Sequence, residues 1–374
     1  MLIACGARSD LDVFVLASVD GGARATHDAS ASDVAHDAMR DVAALDATGD
    51  AASDVAAIDA PLDAPADVAT LDAGGDAPAE VGTFDAGPPT TTCVLFVAGP
   101  PALAPSTWLW NGTMWNQAGP ETSPGTRSYP LVSTLEGQVV LVGGVGGVPG
   151  PDEPDTLNDT WVWSGSTWTQ QHPTQLPPAF VVPAGAALHG KLVVFGLPKP
   201  GAPSETWTWD GNNWSQQSPA QSPPSRVGAC AVTLGDRLFL FGGRLADLTD
   251  ATDLWAWDGA DWTSLSPGSS PDDTNAVAAN VSDTIVMFSG DSGDTWAFGG
   301  TTWAELMSSV TPPRRSGAAG GTLGDTFVLF GGLGGTGNPN PAPLDDTWVW
   351  TGTQWTQAPG AGPPATYGPA MSCY

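Results

Sequence analysis

The tryptophans of this chain come in sets of three at fixed spacing. "STWLWNGTMWNQ" begins at Ser106, and five segments repeat its outline. They are "DTWVWSGSTWTQ" from Asp159, "ETWTWDGNNWSQ" from Glu205, "DLWAWDGADWTS" from Asp253, "DTWAFGGTTWAE" from Asp294 and "DTWVWTGTQWTQ" from Asp346. The leading tryptophans, 108, 161, 207, 255, 296 and 348, stand 53, 46, 48, 41 and 52 residues apart. All 17 tryptophans fall into this grid, and Phe298 fills its one empty cell. None is left over for a separate site.

Trp-x-Trp places both rings on the same side of an extended strand. A buried indole covers ~150–250 Å², worth roughly 4–6 kcal/mol gross at ~25 cal/mol per Å². Indoles at this density therefore supply the core of a unit that has few large aliphatics. A sugar platform would place aromatics in irregular loops, which here are mostly Gly, Pro and Asp.

Two further features keep step with the grid. An apolar run ending in small residues precedes each aromatic segment: "VLFVAG", "VVLVGG", "LVVFGL", "LFLFGG", "IVMFSG" and "FVLFGG". Ahead of most lies a Pro-rich lead-in and a small-residue strand, as in "PPSRVGACAVTLGD". Each unit thus predicts four short strands, and Gly and Pro, 47 and 35 residues, punctuate them with turns. No helical period occurs after residue 90. Six four-stranded units at ~40–50-residue spacing predict an all-β, six-bladed β-propeller over 93–374.

The doublets Gly143–Gly144, Gly242–Gly243 and Gly331–Gly332, each followed by a loop and an aromatic strand, resemble Kelch repeats. The resemblance covers 93–374. It departs at Ala98-Gly99, Gly196-Leu197 and Ser289-Gly290. It implies that the loops after the doublets line a binding mouth on one face. Copper oxidases with Kelch-like propellers also resemble this ring, but their metal needs paired Tyr and His ligands. Here the propeller holds only His172 and His189 with Tyr129, Tyr367 and Tyr374. His189 falls in a hairpin turn at the far end from Tyr129, so neither metal nor cofactor is expected.

The ends of the repeat region complement each other. The first unit starts at "TTCVLFVAG" without its first strand, and the C-terminal "PPATYGPAMSCY" is a first strand with nothing after it. Together they make one blade shared by both termini. Aligned on the "TLGDR" hairpin of the fourth unit, Cys93 and Cys373 face each other, and a disulfide is expected there. It implies an oxidising compartment. Cys230 is expected as a small buried thiol.

Charge divides the chain. Lys and Arg total 11 against 40 Asp and Glu, a net −29, which excludes nucleic acid and a polybasic membrane patch. Residues 6–92 hold seventeen acidic residues, three arginines and no tryptophan, with Asp recurring every four or five positions among alanines. Such a segment repels itself and has little apolar surface to bury, so it predicts a disordered acidic tether. Before it, Leu2-Ile3-Ala4-Cys5 resembles the lipobox of bacterial lipoproteins, with Cys5 the lipidated residue and 1–5 the remnant of the signal. No charged or apolar leader precedes it, so the resemblance implies a start site further upstream. A lipid on Cys5 would be the one membrane attachment, and the expected location is the bacterial cell envelope or surface, otherwise the secreted fraction.

Arginine occupies the same lead-in position in alternate units: Arg127, Arg226 and Arg315. Three arginines around one mouth could grip a carboxylate or sulfate; alternatively, each pairs locally with an Asp or a loop carbonyl. Asp247, Asp250 and Asp253 could gather calcium, or be solvated loop acids. "SGDSGDTW", Ser289 to Trp296, resembles the Asp-box of sialidases, yet its tryptophan already belongs to the grid. The chain is expected to be a monomeric, non-catalytic binding module that recognises a protein or glycan through its loops. One alternative is a hydrolase or lyase of anionic polysaccharide, with the three arginines around a carboxylate or His. The other is a structural adhesin.

Overall fold

A computed structural model describes residues 2–4, 91–97, 104–146, 155–199, 201–266, 271, 275–335, 341–366 and 368–374. The expected tether, except Thr91 and Thr92, lies outside them, as do Cys5 and Tyr367. The described residues are all-β, without a helix, and form small antiparallel sheets.

Unit 4 illustrates the plan. Its strands Cys230–Leu234, Arg237–Phe241, Leu254–Trp257 and Trp262–Leu265 pair in chain order. The first two meet at a two-residue turn, Gly235-Asp236, with Gly235 at φ 60°. Unit 2 uses Glu136-Gly137, unit 3 His189-Gly190 and unit 5 Ser282-Asp283, each with both residues at positive φ, the twist that tight hairpins favour. The third and fourth strands join through a longer turn, where the Asp258 carboxylate accepts from the N–H groups of Ala260 and Asp261. In unit 1 the C-terminal Ala370–Cys373 supplies the first strand to Cys93–Val97, Ser106–Trp110 and Trp115–Ala118. Cys93 stands opposite Cys373, and their Sγ atoms are 2.03 Å apart, as expected of a disulfide.

Two departures from expectation concern the remaining cysteines and the N-terminus. Cys230 is buried but disulfide-bonded rather than free, and its partner lies outside the described residues. Leu2–Ala4, expected as part of a signal remnant, forms a strand antiparallel to Val277–Ala279 of unit 5.

Each first strand packs against two others. Leu131–Leu135 of unit 2 neighbours Ala370–Cys373 of unit 1 and Val181–Leu188 of unit 3. The succession continues through Cys230–Leu234, Val277–Val281 and Ala319–Leu323, and Ala319–Leu323 neighbours Ala370–Cys373 again. Side chains stitch these seams. Thr134 donates to the Cys373 carbonyl, Thr233 to Ala187, Asn280 to Thr233 and Thr322 to Asn280, at 2.7–2.9 Å.

The tryptophans make a second set of seams. Within a unit the second and third aromatics of the grid face each other across the hairpin, as in Trp257 opposite Trp262 with ring centroids 5.4 Å apart. The third indole then reaches the preceding unit. Trp168 donates to Thr107, Trp214 to Thr160, Trp262 to Thr206, Trp355 to Thr295 and Trp115 to Thr347, all at 2.8–2.9 Å. The acceptor is in each case the threonine before the leading tryptophan. In unit 4 that position is Leu254, and Trp303, whose ring packs on Phe241, has no partner for its Nε1 among the described residues. Changing Trp262 to Phe leaves the buried Thr206 hydroxyl unpaired, whereas changing Trp303 to Phe removes an unpaired donor. Urea titration of the two variants should therefore find Trp262→Phe costlier by about 1–2 kcal/mol, and equal costs would refute the role of the threonine.

Candidate functional site

The Gly-Gly doublets shape one end of units 2, 4 and 6. Gly242 and Gly243 lie at φ 65° and 85°, and a Cβ on Gly243 would come within 2.8 Å of the Val227 carbonyl. Glycine at this position lets the chain after the second strand turn back beside the lead-in to the first. Arg226–Val227 accordingly pairs with Leu245–Arg244. Arg127–Ser128 pairs with Gly146–Val145, and Arg315–Ser316 pairs with Gly334–Leu333. In unit 6 a third short strand, Ala342–Pro343, extends the ladder. Neighbouring lead-ins are linked by backbone bonds, Tyr129 to Gly368, Gly368 to Gly317 and Gly228 to Val182, which puts them at one end of the sheets.

The three arginines lie beneath these loops, buried to 3%, 3% and 1% exposure for Arg127, Arg226 and Arg315. Each makes the same contacts. Nε donates to the carbonyl two residues earlier, of Gly125, Pro224 or Pro313, at 3.0–3.1 Å. One terminal nitrogen reaches the first glycine carbonyl of the doublet, Gly143, Gly242 or Gly331, at 3.0–3.3 Å. Both terminal nitrogens then clasp one carboxylate: Asp159 at 2.5 and 2.9 Å, Asp253 at 2.6 and 2.8 Å, Asp346 at 2.6 and 2.8 Å. The same carboxylate accepts the indole N–H of Trp161, Trp255 or Trp348 at 2.7 Å.

This geometry replaces the anion-gripping mouth with the local-pairing alternative. A guanidinium buried in its own unit and held by a bidentate carboxylate has no exposed edge to offer a ligand. The arginines instead tie the loop after the doublet to the lead-in and the third strand. An Asp partner was one of the two alternatives, but which Asp was not assigned, although a signal for the anchored units was present. Arginine and Gly-Gly occur in the same three units, always 16 residues apart. Units 1, 3 and 5 have neither at these positions. In unit 3 Phe180 takes the arginine position, and a Cβ on Gly196 would fall 2.6 Å from its ring.

Burial pushes the Asp159, Asp253 and Asp346 carboxyls up, and hydrogen bonds from arginine and tryptophan with the arginine charge bring them below the ordinary value. A depressed folded pKa contributes stability that is complete above the unfolded value, about 4, and is lost as pH falls through the folded value. Acid also relieves the net −29 repulsion, so the two effects oppose each other. The difference between wild type and an Arg315→Met/Asp346→Leu variant isolates the pair. Wild-type stability should fall more steeply than the variant's as pH is lowered below about 4, measured by urea unfolding at successive pH values.

The other candidates do not assemble. Asp253 is held by Arg226, and Asp247 accepts from the Thr249 N–H and hydroxyl, so these loop acids are used separately. Among the described residues no three His, Cys, Asp or Glu side chains could hold a metal together. Ser289 to Trp296 forms a compact turn in which Ser292 donates to the Ser289 hydroxyl and Asn275 to Asp291. The Gly290 carbonyl of that turn receives the Arg315 N–H, taking in unit 5 the place that Gly-Gly holds elsewhere. No protein-family model and no curated protein matches the chain.

Proposed function

We propose that residues 93–374 form a closed, six-bladed Kelch-like β-propeller that acts as a non-catalytic binding module outside the cytoplasm. Six sheets whose first strands neighbour one another in cyclic order support closure, and the sheet shared by both ends supports it further. The Gly-Gly doublets and tryptophan grid support the Kelch likeness. The Cys93–Cys373 pair is compatible with an oxidising compartment. An acidic tether would hold the module off a bacterial surface.

The observation that carries the binding reading is the set of three loops at one end, each locked to its sheet by a buried arginine. Rigid scaffolds that present irregular loops commonly bind through them, because little ordering entropy remains to be lost. The partner is a protein or a glycan. The test is to screen the full chain on glycan and peptide arrays beside a variant whose Leu245–Asp250 loop is replaced by Gly and Ser. Specific hits that the loop variant loses support the reading. Hits unchanged in it, or turnover of a glycan, would sink it.

A further inference from the structure

At the opposite end of the sheets, units 3 and 4 form a partly open notch of about 110 Å³ between them. It lies beside the first hairpin turn of unit 3 and the Trp-Asp-Gly turn of unit 4, and it is unrelated to the anchored loops. Its walls include His189, Lys191, Thr208, Gln217, Trp257 and Gly259. That volume holds several waters, enough for a carboxylate on a short stem.

The cavity is rich in donors for a chain of net charge −29. Trp257 forms part of the wall, its Nε1 buried away from solvent, so its resonance reports on the cavity without donating into it. The Thr208 oxygen accepts from the Gln217 amide at 3.0 Å, which leaves its hydroxyl proton available to donate. His189 and Lys191 are exposed at the rim, and Nδ1 of His189 would lie 3.1 Å from a Cβ on Gly259. Among the described two-residue turns, only this one has basic side chains both in and after it. The equivalent pairs are Glu136 and Gln138, Gly235 and Arg237, Ser282 and Thr284, Gly324 and Thr326. Asp210 is the carboxylate that senses Lys191. The backbone N–H groups of Asn213 and Asn212 lower it first and the lysine charge less, and it is almost fully solvated, so water screens it from the cavity.

We propose that this notch binds a single carboxylate group, on a sugar or on an acidic side chain. The ammonium of Lys191 supplies charge at the rim, the Thr208 hydroxyl supplies a neutral donor below, and the Trp257 side chain forms part of the wall. Charge-assisted hydrogen bonds are about twice as strong as neutral ones, so Lys191 dominates the affinity.

The test uses the full ¹⁵N-labelled chain and follows the indole resonances during titration with sodium acetate, against sodium chloride at equal ionic strength. The Trp257 resonance, assigned through its side-chain connectivities, should shift saturably with acetate alone. In Lys191→Ala, where the exposed side chain leaves the core intact, the midpoint should rise at least severalfold. Galacturonate and blocked glutamate then distinguish the sugar source from the peptide source. Trp110, Trp163 and Trp209 carry equally unpartnered indoles and serve as internal controls. A Trp257 resonance that does not move, moves together with these three, or titrates identically in Lys191→Ala overturns the proposal.

Discussion

Replacing Cys93 and Cys373 together with alanine is expected to cost on the order of 5 kcal/mol. The bond joins positions 280 residues apart, and loop-closure entropy grows with that separation. Its location adds to the effect. Ala370–Cys373 is a strand of unit 1 contributed from the far end of the sequence, so its pairing with Cys93–Val97 must be re-established against the full chain entropy once the bond is gone. Neighbouring residues are shaped around the sulfurs: a Cβ on Gly321 of unit 6 would come within 2.4 Å of Cys373 Sγ. Guanidinium unfolding of the variant beside the wild type measures the loss. A midpoint change worth less than about 1 kcal/mol would mean that packing alone holds the two ends.

Arg315→Met should cost about 3–5 kcal/mol, because it leaves the Asp346 carboxylate half-buried without its cation and strips the Gly331 and Pro313 carbonyls of their donor. Adding Asp346→Leu should recover part of that loss, since two apolar residues need no mutual partner. The equivalent change at Arg226 should cost less: the Asp253 side chain is 34% exposed against 14% for Asp346, and water compensates it better. A double-mutant cycle by urea unfolding measures the coupling. A single-mutant cost below about 1 kcal/mol would place the pair among ordinary surface ion pairs and remove the anchoring role assigned to it.

The strands, their turns and the terminal cysteine pair were legible because each rests on local spacing that repeats. The tryptophan grid states its own period, and Cys93 and Cys373 occupy equivalent hairpin positions. What stayed hidden depends on register between units. Thr107, Thr160, Thr206, Thr295 and Thr347 recur visibly before the leading tryptophans, but their partners are indoles of the next unit, and no spacing within one unit reveals that. The choice between the two readings of the arginines stayed open for a related reason. A charged residue at the mouth of a loop suggests exposure, and only the fold places Asp159, Asp253 and Asp346, some thirty residues downstream, against guanidiniums buried under the doublets. The donor-lined notch combines residues of two units and carries no pattern in either.

The Cys93–Cys373 bond also governs how the molecule carries mechanical load. Tension applied between Thr92 and Tyr374 enters and leaves through two sulfurs that are bonded to each other. The force is short-circuited, and the sheets between them carry none of it. Reduction would reroute the same pull through Ala370–Cys373, which would be drawn away from its neighbour strand by strand pairing alone. The bond is thus a strain relief, and a pull at Thr92 and Tyr374 would load the sheets only after it had been cut.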